Sequence, residues 1–419
     1  MPQFEFYSSL PYWLAFLAVL AAVRLLGSGR RVRQGVLLAA SGLMLLALPG
    51  FTPVHLAILA VLILLSFAAG SLLGRPSDPP RPGRRLALSA GLIAATLLVL
   101  CFYKYGFFQR LVLGLPPLAG LGTGHVVRMV GVSYFTFKII HFIVESYRSK
   151  IEGLDLLTYA NYVVFFPAFI SGPINRYNPF AASLRSGGGR SAGADLGAGA
   201  ERIVHGLFKK FVLVQLLYPH ILTNAASLKD LSVLGTIGGL YAYAFYFYFD
   251  FSGYTDLAIG CARLLGIDLP ENFNHPFLKK NIRELWTNWH MSLTSWLVDY
   301  IYWPIVRRMR NIDVFRSHPI ALSNAGMIIT FIVCGMWHGE GLNFIVWGAY
   351  HGLGISVATV YQRAKRSLRS PGLQRYFRSR ASAVVGVIVT FNFFALGLAF
   401  FVLDWGRLGI LLRNLASRF

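Results

Sequence analysis

The chain has 419 residues, of which 55% are hydrophobic and only 13% are charged. Soluble domains carry about one quarter charged residues, so this composition excludes an ordinary soluble protein and indicates a polytopic membrane protein. The formal net charge of +22 comes from 39 Lys and Arg against 17 Asp and Glu. Because the basic residues cluster in short loops between apolar runs, membrane orientation explains them better than nucleic-acid binding does.

Three basic clusters set the expected orientation of the chain. They are Arg30, Arg31 and Arg33; then Arg75, Arg81, Arg84 and Arg85; and then residues 363–380, with seven basic residues and no acid. Short loops rich in Lys and Arg stay on the cytoplasmic side and attract anionic lipid. We therefore expect these loops to be cytoplasmic, with membrane lipids as their main partner and an acidic carrier protein as a second one.

Apolar runs with short breaks make up the first part of the chain. They cover residues 4–26, 36–48, 54–73 and 86–102, followed by the interrupted run 107–121. We expect the first four to be membrane helices, with a hairpin at Pro49-Gly50, and the interrupted run to be interfacial. The first run has no small-residue cleavage site, which favours a retained helix over a signal peptide.

Residues 126–147 predict a helix that carries Lys138, His141 and Glu145. His141 and Glu145 form an i,i+4 pair on one helix face, within reach of Lys138. A metal site would need an HExxH motif or a third ligand, and neither accompanies the pair. A structural hydrogen-bonded pair is therefore favoured over a functional one.

The middle of the chain contains a predicted break and a predicted loop. Gly172-Pro173 must end any helix, and a break at membrane depth has to line a cavity or be buried in protein. Residues 186–200, rich in Gly, Ala and Ser, predict a flexible surface loop and an internal boundary. Residues 203–222 predict an amphipathic helix with Lys209 and Lys210 on its polar edge.

An aromatic-rich run over residues 231–249 leads into Asp250 and Asp256. Two carboxylates six residues apart suggest either acid/base chemistry or caps at helix ends. Because Asp is a common capping residue, the capping interpretation is favoured.

Residues 271–304, ENFNHPFLKKNIRELWTNWHMSLTSWLVDYIYWP, bring polar groups into this apolar sequence. Asn281 followed by Glu284 predicts a helix start. Beyond it, side chains at three- and four-residue steps are expected to share one helix face: Trp286, His290, Leu293, Leu297 and Tyr300. An imidazole at membrane depth is costly unless it has a partner or a task, which makes His290 a candidate functional residue.

A second candidate, His338, follows the apolar run 320–336 and lies between two glycines that leave the backbone open to a substrate. Cys334, one turn earlier, is read as a buried structural thiol rather than a nucleophile, because no neighbour in the sequence would activate it. Cys101, Cys261 and Cys334 have no CxxC spacing, so neither a disulfide framework nor a zinc knuckle follows. Further runs at 344–361 and 383–403 bring the expected number of crossings to about ten to twelve.

Histidine chemistry remains after other mechanisms are set aside. The chain has no GxSxG elbow, no Gly-rich phosphate loop and no HExxH motif. A neutral imidazole takes a proton from a hydroxyl that attacks an activated acyl group, typically worth about 10²–10⁴-fold in rate. The alternatives are buried core histidines and a polytopic transporter whose intramembrane histidines relay protons. A transporter would more often show repeated halves with matched broken helices.

Five blocks between about residues 130 and 352 resemble the membrane-bound O-acyltransferase (MBOAT) family. They are VGVSYFTFKIIHFIVESYR, FFPAFISGPINRY, FDFSGYTDLAIG, NFNHPFLKKNIRELWTNWHMSLTSWLVDYIYWP and CGMWHG. The likeness is greatest to the bacterial DltB/AlgI-like branch, whose members transfer D-alanyl or acetyl groups to envelope polymers. Where the family has Trp-Phe-Arg-Asp, residues 296–299 have Val298 in place of the arginine.

The resemblance implies an all-α polytopic membrane protein with the MBOAT fold. This fold has about ten to twelve transmembrane helices ringed around a thin centre with a tunnel. The whole chain, 1–419, would be one domain. Within it, residues 1–125 would be N-terminal spanning helices, 126–361 the core with the catalytic histidines, and 362–419 a basic loop and the last helix.

The resemblance also implies an O-acyltransferase of the bacterial inner membrane. His338 would be the essential catalytic histidine and His290 its partner. Tunnel residues would be Tyr254, Asp256, Trp286, Asn288, Trp289, Ser292 and Trp337, and carrier-docking residues Lys279, Lys280 and Arg283. A catalytically inactive scaffold of the same fold is a further alternative. The presence of both histidines argues against it.

No bound cofactor or metal is implied. The donor would be a cytoplasmic thioester, carried either on the phosphopantetheine of an acyl carrier protein or on acyl-CoA. The acceptor would be a hydroxyl of an extracytoplasmic polymer, or of a relay or acetyltransferase partner protein.

Overall fold

The computed structural model describes residues 9–26, 29–74, 82–114, 128–186, 192–224, 228 and 231–417. Within these ranges all regular structure is helical, apart from one isolated bridge between Phe273 and Trp289. The all-α prediction is therefore confirmed. Arg75, Arg81, the end of the predicted interfacial run 107–121 and the start of the first run lie outside the described residues.

The chain divides into two compact units. The first unit comprises Met1–His205 and Thr255–Pro270, and the second comprises Gly206–Tyr254 and Glu271–Phe419. The single-domain arrangement with boundaries after residues 125 and 361 stays a prediction.

The first unit is built from a series of helices along the N-terminal half. They are α1 Leu10–Leu26, α2 Arg30–Leu46, α3 Pro53–Leu73, α4 Pro82–Lys104, α5 Gly106–Leu113, α6 Val132–Tyr147, α7 Leu156–Val164, α8 Tyr177–Ser186 and most of α9 Ala192–Phe208. The predicted hairpin lies between α2 and α3. There Gly50 has a φ of +77°, and the Thr52 side chain accepts the backbone N–H of His55. This is the turn glycine and N-cap that such a break requires.

The polar residues of α6 have partners on other elements. Lys138 is fully buried, and its Nζ donates to the carbonyls of Tyr162 and Val163 at 3.1 and 3.3 Å, at the C-terminal end of α7. A cation is favoured there by the helix dipole. The Tyr177 backbone N–H donates to His141 Nε2 at 3.0 Å. Lys138 was expected to approach His141, but its ammonium group instead binds carbonyls at the end of α7.

The predicted break at Gly172-Pro173 is buried in protein. After α7 a short 3₁₀ turn, Phe166–Ala168, leads into irregular backbone before α8, and nearly all of residues 163–175 are buried. The Tyr162 hydroxyl donates to the Asn175 carbonyl at 3.1 Å. The break was expected either to line a cavity or to be buried in protein, and the structure shows that it is buried.

The prediction of a flexible loop over residues 186–200 is wrong for its second half, because α9 begins at Ala192. A Cβ at Gly199 would lie 2.8 Å from the Leu264 side chain, and a Cβ at Gly260 would lie 2.8 Å from the Gly199 carbonyl. These glycines therefore let α9 pack closely on the last turns of the long helix α11, Val233–Leu264. Alanine supplies the helix propensity between them. Residues 187–191 lie outside the described chain.

The second unit contains the end of α9, a π-helical turn at Lys209–Leu213 and the first part of α11, followed by further helices. These are α10 Val214–Leu217, α12 Ile282–Thr287, α13 Met291–Leu297, α14 Trp303–Met309, α15 Asp313–Arg316, α16 Pro319–His338, α17 Leu342–Ser367, α18 Pro371–Arg378, α19 Arg380–Val402 and α20 Trp405–Ala416. A second π-helical turn, Val298–Tyr302, joins α13 to α14.

Five described helices are long and apolar enough to cross a membrane. They are Pro53–Leu73, Gly83–Lys104, Pro319–His338, Leu342–Ser367 and Arg380–Val402, and Leu10–Leu26 and Leu156–Ala168 are shorter apolar helices. The chain is thus a multi-pass protein by the ~20-residue criterion. The larger count of ten to twelve crossings stays a prediction.

Helices α16 and α17 form an antiparallel hairpin with backbone in contact with backbone. A Cβ at Gly335 would lie 2.1 Å from the Phe344 carbonyl oxygen, and a Cβ at Gly348 would lie 2.3 Å from that of Phe331. Lipid supplies no hydrophobic force between helices, so close approach at small residues is what holds such a pair together.

Gly348→Ala is expected to force the two helices apart and to lower the free energy of unfolding by about 1–3 kcal/mol, because its methyl group meets fixed backbone. The measurement is the midpoint of thermal unfolding of the purified protein in detergent. Gly372→Ala is the matched control, since nothing lies within 4 Å of its Cβ. Equal midpoints for the two variants would contradict the close packing.

Candidate active site

The central segment, residues 271–304, does not contain the uninterrupted helix from Asn281 through Tyr300 that its periodicity predicts. Helix α12 ends at Thr287, and α13 begins only after His290, which has φ 43° and ψ 53°. The expected single face through Trp286, His290 and Tyr300 is therefore interrupted. As predicted, α12 starts at Asn281, whose side chain accepts the Glu284 N–H at 3.0 Å.

A neighbouring extended strip satisfies the backbone at this interruption. The Asn274 N–H donates to the Asn288 carbonyl at 3.1 Å, and the Met291 N–H donates to the Asn272 carbonyl at 2.9 Å. The Ser292 hydroxyl adds a bond to Asn272 Oδ1 at 2.6 Å. Buried backbone groups need such partners, so this pairing lets the helix stop in the protein interior.

His290 has a strained backbone. A positive φ costs a non-glycine residue about 1–3 kcal/mol and persists only where the surroundings enforce it. Among the described non-glycine residues, Ser149, His275 and His290 have this conformation. Two of them therefore belong to the central segment, and strain of this kind is typical of functional sites.

A cavity of about 430 Å³ lies within the second unit. It follows one face of α16 at three- and four-residue steps: Ser323, Asn324, Met327, Thr330, Phe331, Cys334 and His338. From Ser323 to His338 the helix rises roughly 22 Å. The cavity is therefore long and narrow, and it runs from the first turns of α16 to its last residue.

Both candidate imidazoles lie on the wall of this cavity. His290 is 5% exposed and packs its ring edge-on against Phe251, with ring centroids 4.7 Å apart. His338 is half-buried and packs edge-on against Trp347 and Phe401, at 5.1 and 5.0 Å. The structure thus brings the two histidines to the wall of one cavity lined mostly by apolar and aromatic side chains.

The predicted tunnel residues divide into two groups. Trp286 and Trp289 line the cavity, and so does Arg283 from the predicted docking group. The described cavity wall does not include the others: Tyr254, Asp256, Asn288, Ser292 and Trp337. Asn288 closes the end of α12 through a bond from Nδ2 to the Glu284 carbonyl at 2.8 Å, so it has a structural task at the interruption.

Asp250 and Asp256 do not cap helix ends, which corrects the favoured interpretation. Both lie inside α11, where Asp250 pairs with Lys210 and Asp256 pairs with Arg202 at 2.6 Å. Lys210 is 5% exposed, so the prediction that it lies on a polar edge is also wrong. A carboxylate held by a cation in this way is a structural ion pair.

The predicted docking residues lie close to the start of α19. A Cβ at Gly386 would lie 2.7 Å from the Lys280 carbonyl oxygen, six residues after the basic segment ends at Arg380. Lys280 and Arg283 are exposed, and Lys279 is half-buried. A positively charged surface therefore adjoins Arg283, which also lines the cavity.

Two residues of α17 were not selected from the sequence, Trp347 and His351. Trp347 lines the cavity, and fully buried His351 accepts a hydrogen bond from Trp286 Nε1 at its Nδ1, at 3.4 Å. The sequence pattern that could have identified them is their i,i+4 spacing, which places both side chains on one face of an apolar helix. Val298, where the resemblance leads us to expect arginine, also lines the cavity, in the second π-helical turn.

Imidazole, hydroxyl, amide and guanidinium groups are among the polar groups on the cavity wall. Within the ranges that the structure describes, no three His, Cys, Asp or Glu side chains come together as a metal site. The cavity wall is otherwise apolar and aromatic.

The profile of the membrane-bound O-acyltransferase family, MBOAT, matches residues 82–403, which include every residue of the cavity wall. The chain belongs to this family. The resemblance seen in the motifs around His290 and His338 is thereby confirmed.

Curated relatives of this MBOAT protein are named acyltransferases. The teichoic acid D-alanyltransferase of Bacillus subtilis is 30% identical over 279 residues, 66% of this chain and 69% of that protein. The probable alginate O-acetylase AlgI of Azotobacter vinelandii is 31% identical over 266 residues, 60% of this chain and 52% of that protein. The peptidoglycan O-acetyltransferase of Helicobacter pylori is 29% identical over 357 residues, 77% and 63% of the two chains.

These names agree with an enzyme of the O-acyltransferase class and with a multi-pass membrane protein. They also weigh against a transporter, since each named relative transfers an acyl group.

Lys210→Met is expected to destabilise the protein by about 2 kcal/mol, because it leaves the Asp250 carboxylate without its cation in a mostly buried site. Thermal unfolding in detergent measures the effect, and the double variant Lys210→Met/Asp250→Leu should recover much of the loss. Arg316→Met, which removes the exposed pair with Asp313, is the control and should change little. Equal losses of stability in the two single variants would show that the Lys210–Asp250 pair stabilises the protein no more than an exposed ion pair does.

Proposed function

We propose that this protein moves a D-alanyl or acetyl group from a cytoplasmic thioester across the membrane to a hydroxyl of a cell-envelope polymer or relay protein. One observation carries the proposal. Two histidines lie on the wall of a single elongated cavity that follows α16 from end to end. The family and the named relatives support acyl transfer, and the cavity supplies a place for it.

The charge around the cavity supports its direction. Arg307, Arg308 and Arg316 precede α16, and α17 ends beside Lys365 and Arg366. Because the two helices are antiparallel, these residues lie at the end of the hairpin remote from His338. Basic residues favour the cytoplasmic side, so a donor would enter there and an acceptor would meet it at His338.

The shape of the cavity suits a thioester on a flexible arm. A rise of roughly 22 Å along α16 is comparable to an extended pantetheine chain, the arm shared by acyl carrier proteins and acyl-CoA. Arg283 on the wall, with Lys279 and Lys280 beside it, offers positive charge to the phosphate of such an arm or to an acidic carrier. An acyl carrier protein and acyl-CoA both present a pantetheine arm with a phosphate, so the cavity could accept either donor.

In the proposed reaction, His338 acts as the general base. Its imidazole takes the proton of the acceptor hydroxyl while the oxygen attacks the thioester carbonyl carbon, and the carbonyl π electrons move to oxygen. When the carbonyl re-forms, the carbon–sulfur bond breaks, and the leaving thiolate takes the proton from the imidazolium. The products are an ester and a free thiol, so the histidine is regenerated.

His290 has a supporting task in this scheme. Its backbone is fixed between α12 and α13, and Phe251 packs edge-on against its ring. An imidazole held so rigidly orients the acceptor or stabilises charge at low reorganisation cost.

His338→Ala is expected to lower acyl transfer by at least about 10²-fold, because it removes the general base. The assay uses purified protein in lipid nanodiscs, with acetyl-CoA or a D-alanyl-loaded carrier protein as donor and envelope polymer as acceptor. His220→Ala, at an exposed histidine, should leave turnover unchanged. Continued turnover by folded His338→Ala would remove this residue from the mechanism. No transfer by wild type, with proton-coupled flux instead, would favour the transporter.

Met327→Trp is expected to obstruct the cavity midway along α16 and to lower transfer at least tenfold with both histidines intact. Its control is Ile329→Trp on the same helix, because Ile329 is 37% exposed and does not line the cavity. Rates are compared at saturating and limiting donor. If the two tryptophan variants transfer equally well, the donor does not use this passage.

A further inference from the structure

Trp347 is a cavity-lining tryptophan whose ring packs against His338. It lines the cavity and is only 3% exposed. Its ring centroid lies 5.1 Å from that of His338, with the two planes at 85°. A group in this position reaches the atoms on which His338 acts.

The indole N–H of Trp347 has no hydrogen-bond partner among the described residues, although the atom is buried. The neighbouring Trp286 differs, because its Nε1–H donates to His351 Nδ1 at 3.4 Å. A buried donor left unsatisfied costs about 1–3 kcal/mol, and buried tryptophans usually find a partner. Trp347 therefore retains a donor that the protein itself does not use.

We propose that Trp347 is a catalytic residue whose Nε1–H donates to the acyl carbonyl oxygen of the thioester. This inference rests on the proposed acyl transfer. As the acceptor oxygen attacks the carbonyl carbon and its proton passes to His338, negative charge gathers on the carbonyl oxygen. The Trp347 N–H stabilises that charge until the carbonyl re-forms and the thiolate leaves.

Four hydroxyl donors on the cavity wall bond to other groups of the protein. The hydroxyls of Thr294, Thr330 and Thr359 donate to helix carbonyls at 3.1, 2.7 and 2.8 Å. The Ser323 hydroxyl bonds the Tyr302 hydroxyl at 3.0 Å. Asn324 lies near the opposite end of α16, roughly 21 Å along the helix from His338. Trp347 thus combines an uncommitted donor with proximity to the general base.

The surroundings of Trp347 hold its ring still. It packs against Trp286 and His351 with centroids 5.6 and 5.0 Å away, and against Phe401 at 5.4 Å. The next residue, Gly348, fixes α17 against α16. A donor fixed before the reaction stabilises developing charge without having to reorganise.

The test is Trp347→Phe, which removes the N–H and keeps an aromatic ring. Loss of one such donor is expected to lower kcat about 10²–10³-fold, with the donor KM changed less than about threefold. Affinity for a donor analogue without the carbonyl, S-ethyl-CoA or a carrier S-ethylated on its phosphopantetheine, should be unchanged. Trp405→Phe, on exposed Trp405 of α20, is the control and should keep wild-type kcat.

A structural role for Trp347 predicts another pattern, in which Trp347→Phe loses analogue affinity and kcat together, and that pattern overturns the proposal. Trp347→His keeps a ring N–H and is expected to turn over at least tenfold faster than Trp347→Phe. If Trp347→Phe does not fold, Trp347→His is compared with wild type, and a kcat reduced more than 10²-fold with analogue binding intact counts against the proposal. Unimpaired Trp347→Phe in an active system overturns this inference alone, whereas a wild type inactive with both donors overturns the proposed function.

Discussion

The site depends on the need to satisfy backbone hydrogen bonds inside an apolar body. Helix α12 can end at the interruption because residues 272–274 supply donors and acceptors to residues 288–291. Without that strip, the peptide groups around Trp289 and His290 would be buried without partners, at a cost of several kcal/mol. The strip thereby enforces the left-handed conformation of His290 and directs its ring to the cavity wall. A loop thus determines the position of a proposed catalytic group.

The second determinant is the close approach of α16 and α17. Gly335 and Gly348 bring backbone against backbone, so that the His338 and Trp347 rings meet at the closed end of the hairpin. Larger residues at these positions would meet the backbone of the facing helix and would move the two rings apart. The packing that gives the hairpin its stability therefore also fixes the distance between the proposed base and the proposed oxyanion donor.

The sequence predicted the helices, the hairpin at Pro49-Gly50 and the family, because these depend on local apolar runs and contiguous motifs. Sequence patterns did not predict features that depend on contacts between residues far apart in the chain. The interruption at His290 needs hydrogen bonds from residues 272–274, and periodicity over residues 286–300 cannot show them. The partners of Asp250 and Asp256 lie 40 and 54 residues away. The Gly-rich residues 192–200 suggested a loop, but in the structure they are helical, and Gly199 allows the helix to pack closely on α11.

The mostly apolar lining of the cavity has a further consequence for the integrity of the membrane. Met327, Phe331 and Leu398 offer no oxygen ligands to an ion that leaves its hydration shell. A narrow hydrophobic constriction tends to lose its water, and a dewetted passage conducts neither ions nor protons. The proposed donor passage is therefore compatible with an intact electrochemical gradient across the bilayer.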